Sequence, residues 1–184
     1  MSFTANDHLY ASLHETGGNE FVKAIYKQRP RYFSQGSLAD PLTGTVQGKI
    51  LGFDWLAEIG LPTVNFYPFP ALPSPHPGPI PGQFLISFRM HLTGFSYTNE
   101  LMDINAVAVA VANASPSPGK MGFKIIDLEV TQYPLLKNVV MLVLNLALSA
   151  FSIPYPAFPL GAFTPVLSAP PIINGHKFIL KGNL

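Results

Sequence analysis

The chain contains no cysteine. That excludes disulfide staples, thiolate metal sites and a cysteine nucleophile. Charge is the second scarcity: only 11% of the 184 residues are Asp, Glu, Lys or Arg, against about 25% in ordinary domains. Net charge is +1 and the basic residues are scattered, with Arg29 to Arg31 as the densest group. No basic patch exists to bind nucleic acid or an acidic partner. The opening residues, MSFTANDHLYASLHE, carry neither a basic start nor an apolar run, so no signal peptide is expected and a cytoplasmic location follows. G-x-S-x-G, the phosphate-binding loop and an ordered Ser/His/Asp set are also missing.

What the chain has instead is apolar mass: 48% of its residues are hydrophobic. So much apolar surface with so little charge points to a partner, a membrane or a ligand groove. The longest apolar stretch is LLKNVVMLVLNLALSAFSI, residues 135 to 153, bounded by Pro134 and Pro154. Spanning a bilayer takes about 20 predominantly apolar residues, and this run barely reaches that while holding Lys137, Asn138 and Asn145. On a helix its polar residues gather into about one third of the circumference, a stripe that a span does not need. The pattern predicts one helix over 134–152, wrapped by protein and wetted along Lys137, Asn138, Asn145 and Ser149. No integral membrane insertion is expected.

The remainder reads mainly as strands. HLYASLH alternates as a half-buried strand; a turn at Gly17-Gly18 follows, and Asn19 is a plausible cap for a short amphipathic helix with apolar pairs Phe21/Ile25 and Val22/Tyr26 that ends before Pro30. Residues 68–81 hold seven prolines in fourteen positions and are expected as an extended loop. QFLISFRMHLTG places Phe84, Ile86, Phe88, Met90 and Leu92 on one face. In AVAVAVA, valines and alanines occupy opposite faces, so a central strand covered on both sides is expected. In MGFKIIDLEV the alternation changes phase at Ile125 and Ile126, where a β-bulge would keep both apolar sets inside.

These elements predict an α+β fold in a single domain, 1–184, with a strongly curved antiparallel sheet rolled around the long C-terminal helix. A ligand crevice, if present, is expected between that helix and the sheet. Its candidate lining is Phe84, Ile86, Phe88, Ala108 and Ala110 from the strands, with Val139, Leu142 and Leu146 from the helix. Small alanines leave room that an acyl chain or a helix backbone can fill.

The last fifty residues add a resemblance. An apolar helix, then Phe158-Pro159-Leu160, then a closing strand with Phe178, Ile179, Leu180 and Gly182, is similar to the end of a tubular lipid-binding (TULIP) domain. The first strand and short helix resemble the opening of such domains. The resemblance implies a fold that binds lipid or another hydrophobic ligand. Without a signal peptide or disulfide, the chain looks most like the bacterial intracellular members, such as accessory proteins of clostridial neurotoxin clusters.

The polar residues offer little chemistry. The five histidines include no pair at chelating spacing: His8 and His14 share a strand face but lie about 20 Å apart. Asp127 and Glu129, two apart on a strand, form a solvated face more readily than an acid/base pair. Neither a metal nor a cofactor is expected, and no enzyme. Two functions remain open. One is non-enzymatic binding of a lipid or acyl chain. The other is a structural or interaction protein on the same fold, a component of a toxin or secretion locus or a homo-oligomer, with 68–81 as its contact.

Overall fold

The computed structural model describes residues 9–66, 82–95, 97–113, 120–149, 152–154, 166–167 and 171–183. The proline-rich segment 68–81 and the Phe158-Pro159-Leu160 step lie outside them. In chain order the strands and helices are β1 (Leu9–His14), α1 (Glu15–Gln28), β2 (Ser34–Gly36), β3 (Thr45–Val46), β4 (Trp55–Ile59) and β5 (Thr63–Asn65). Then come β6 (Gln83–Gly94), β7 (Tyr97–Asn113), β8 (Lys120–Val130), α2 (Lys137–Ser149), β9 (Ser152–Pro154), β10 (Val166–Leu167), β11 (Ile172–Asn174) and β12 (Lys177–Asn183). The fold is α+β, with a strongly curled mixed sheet and, among the described residues, two α-helices.

The long strands follow from the alternation in the sequence. β6, β7 and β8 run antiparallel at the centre of a sheet ordered β3-β2-β4-β6-β7-β8-β9. β4 and β5 lie end to end along the same edge of β6, β5 against Leu85–Ser87 and β4 against Met90–Gly94. The β2–β3 pairing is parallel, so the sheet is not the purely antiparallel one that alternation predicts. The chain ends form a second sheet, ordered β1-β12-β10, with β11 also on β12. Residues Leu9–His14 pair with Lys177–Gly182 in full register.

The expected bulge is present. Val107 pairs with Asp127 and Ala108 with Ile125, so Ile126 has no opposite number. That single extra residue restores phase. Phe123, Ile125, Leu128 and Val130 all fall on the face that carries Ala106, Ala108 and Ala110. This inner face holds the core, where Met90, Leu92, Met102, Ile104 and Ala106 are essentially inaccessible. Of the valines on the other face of β7, Val107 is also fully buried and Val109 half-buried. Trp55 is buried at the start of β4 and donates its indole N–H to the Gly48 carbonyl at 2.9 Å.

The C-terminal helix departs from expectation in length and in orientation. A 3₁₀ turn occupies Pro134–Leu136, and α2 then runs only 13 residues to Ser149, with Ser152 already in β9. The buried residues of α2 are Val140, Val143, Leu144 and Ala147. Leu142 and Leu146 are 45% and 36% exposed, whereas Asn145 faces the sheet. Its carboxamide accepts from the Ile125 N–H at 2.9 Å and donates to the Ile125 carbonyl at 3.2 Å. Among the described residues β9 pairs with β8 only at Lys120–Gly122. Beyond that point the outward main-chain groups of β8 need a partner, and Asn145 supplies it. An unpaired main-chain pair costs more than wetting two leucines halfway. Among the described residues no helix is long and apolar enough to cross a membrane.

Candidate functional site

α1 begins earlier than its glycines suggest. His14 is the N-cap, its Nδ1 accepting from the Thr16 N–H at 3.3 Å. Gly17, Gly18 and Asn19 therefore lie inside the helix, and Asn19 is not its cap. One face of the first two turns docks on β5. The Glu15 carboxylate accepts from the Phe66 N–H at 2.8 Å. Asn19 accepts from the Val64 N–H at 2.8 Å and donates to the Val64 carbonyl at 2.9 Å. These side chains occupy the edge of β5 that a further strand would otherwise take. Gly18 makes the approach possible: a Cβ there would sit 3.0 Å from the Phe66 ring.

Both helices are thus pinned to a strand by an asparagine that satisfies the N–H and C=O of one residue, Val64 for α1 and Ile125 for α2. A side-chain amide presents the same donor and acceptor as a peptide unit, so each mimics a neighbouring strand. Both pinned residues line a cavity of ≈ 200 Å³ between the helices and the sheet. From α1 come Phe21, Val22 and Ile25, and from the end of β5 Val64 and Phe66. Phe84, Ile86 and Phe88 enter from β6 and Met121, Phe123 and Ile125 from β8. Leu144, Ala147 and Leu148 of α2, Leu13 of β1 and Phe178 of β12 complete most of the wall.

Among the described lining residues, Tyr32 is the one with a polar side-chain group. The rings are ordered against one another: Phe84 meets Phe66 and Phe123 edge-on, each at 5.8 Å between centroids, and Phe178 at 6.4 Å. Such contacts stabilise by about 0.5–1.5 kcal/mol each beyond burial and hold the wall in shape. Leu13 and Phe21 remain 40% and 45% exposed at its rim. A space with so apolar a lining suits an apolar guest.

The sequence candidates divide. Phe84, Ile86 and Phe88 are in the wall. Ala108 and Ala110 are buried on the same sheet face but are not part of the lining. Ala108 stands opposite Phe84 and Ala110 opposite Phe123. The two rings lean over the alanine strand and touch, so aromatic side chains fill the space that alanines were expected to leave. Val139, Leu142 and Leu146 lie outside the lining, the two leucines on the exposed side of α2. The residues α2 contributes instead, Leu144, Ala147 and Leu148, share the i, i+3, i+4 spacing of its buried face. That spacing was a usable signal once Asn145 fixed the rotation. The contributions of α1 and Phe178 depend on tertiary placement.

Several polar groups outside the cavity have structural partners. Asp127 lies on the outer face of β8 and pairs with Lys137 at the start of α2. Asp103 pairs with Arg89 at 2.8 Å and Asn105 with the Ser87 hydroxyl at 2.8 Å. His176 approaches Glu15 at 3.3 Å. Among the described residues no three His, Asp or Glu side chains come together as a metal site would require. Comparison with protein families, curated proteins and solved structures finds no match for this chain.

Proposed function

We propose that this chain is a non-enzymatic binding protein for a hydrophobic ligand, a lipid or acyl chain, working in the manner of tubular lipid-binding domains. One observation carries the reading: a half-open pocket of ≈ 200 Å³ walled by apolar side chains, bounded by two helices whose asparagine side chains hydrogen-bond to strand main-chain groups. Well-packed cores hold few voids larger than a water molecule. A cavity of this size loses dispersion contacts along its lining, and an apolar guest restores them. Each methylene transferred from water into it gains about 0.8 kcal/mol. Extraction of the purified protein with organic solvent, followed by mass spectrometry, should recover an apolar molecule in stoichiometric amount. Protein that yields none, and that takes up no hydrophobic dye, would count against this function.

A second reading rests on a separate surface. Leu135 is 93% exposed, and Leu142 and Leu146 continue the apolar side of α2. With a net charge of +1, such a surface favours association, so an assembly protein or a homo-oligomer is the alternative. Replacing Leu142 and Leu146 by Ser should dissociate such an assembly in sedimentation and leave ligand content unchanged.

A further inference from the structure

The size of the cavity and the way its walls are held limit what it can take. The geometry points to a ligand with one short apolar chain or one ring of about eight carbons, and to the exclusion of two-chain lipids. This rests on the hydrophobic-ligand function proposed above and narrows it to a class. An apolar cavity of about 150 Å³ lined by Leu, Ile and Phe accommodates benzene, with six carbons. The present pocket is half open and holds ≈ 200 Å³, in proportion room for about eight carbons, with anything longer protruding at the rim. Two acyl chains would need several times that volume.

The walls cannot simply part to admit more. Asn19 bonds both main-chain groups of Val64, and Asn145 both main-chain groups of Ile125. Widening the gap on either side breaks a pair of hydrogen bonds to main-chain groups. Gly18 already brings α1 within contact of Phe66, so the floor is set by backbone and ring rather than by flexible side chains. The half-exposed Leu13 and Phe21 mark the rim. A polar end group would stay there, since the described lining is apolar except for Tyr32.

The test is a calorimetric titration of the delipidated protein with straight-chain primary alcohols from six to sixteen carbons, and with a short two-chain phosphatidylcholine kept monomeric. Affinity should rise about fourfold per methylene up to a chain of about eight carbons, and then level off. The two-chain lipid should not compete with octanol. Ile25→Ala, which removes part of the half-buried wall on α1, should move the break to longer chains. Affinity that keeps rising to sixteen carbons, a two-chain lipid that displaces octanol, or a break that Ile25→Ala leaves in place would overturn the size limit while preserving ligand binding. Failure of every alcohol and of the phospholipid to bind would remove the hydrophobic-ligand function itself.

Discussion

Asn19 and Asn145 sit in different helices, yet each replaces a missing strand partner for one residue. Their loss should therefore cost more than that of an ordinary surface amide. Asn145→Ala strands the N–H and carbonyl of Ile125, and we expect a loss of about 1–3 kcal/mol, read as a shift in the midpoint of urea unfolding. A change below about 0.5 kcal/mol would mean that the pairing contributes little. Residue type alone pointed the other way, because an asparagine beside a lysine on an apolar helix reads as part of a wet stripe. Nothing local says that a strand edge lies opposite. Asp54 gives a pH-linked case. Its carboxylate accepts from Lys49 and from the Ser37 hydroxyl, and these bonds hold its pKa below the usual carboxylate value of 3.8. A lowered folded pKa means that the stabilisation is complete above the unfolded value and is lost as pH falls through the lowered one. The stability difference between the protein and Asp54→Asn should be constant near neutral pH and shrink below about pH 4. A difference that grows on acidification would contradict the assignment.

At the scale of elements, the sheet was more legible than the helices. Strict alternation located β6 and β7, and the change of phase at Ile125 and Ile126 located the bulge to the residue. Period-two patterns reveal both faces of a strand, so a single misplaced residue shows. A helix that is apolar over most of its surface gives no such signal, because many rotations bury similar area. The rotation of α2 was set by one amide–backbone pair that the pattern does not contain. The consequence is measurable. Leu144→Ala should destabilise by about 2–5 kcal/mol, whereas Leu142→Ala, on the exposed side, should stay within about 0.5 kcal/mol. The opposite ranking in thermal or denaturant unfolding would mean that α2 is turned the other way. For α1, sequence supplied the apolar pairs but misplaced the start, since two glycines in succession read as a turn. In the fold they are the flat side of a helix pressed against Leu13 and Phe66.

The described residues form a curled sheet whose inner face is partly covered by two fastened helices and by the paired strands β1 and β12, leaving a half-open pocket. The pairing of β1 with β12 joins residues about as far apart in sequence as the chain allows, and no local pattern encodes it. That pairing nonetheless brings Leu13 and Phe178 to the cavity side by side. The β6 share of the proposed site, Phe84, Ile86 and Phe88, is legible because it lies on one alternating strand. The remaining walls are not, because they come from elements assembled across the chain. Methyl-labelled NMR during titration with octanol distinguishes a guest in this space from one on the exposed side of α2. Saturable shifts are expected at the methyls of Val22, Ile25, Val64, Ile86, Ile125, Leu144 and Leu148, with those of Leu135, Leu142 and Leu146 unmoved. Shifts confined to Leu135, Leu142 and Leu146, or no saturable shifts at all, would contradict a guest in this space.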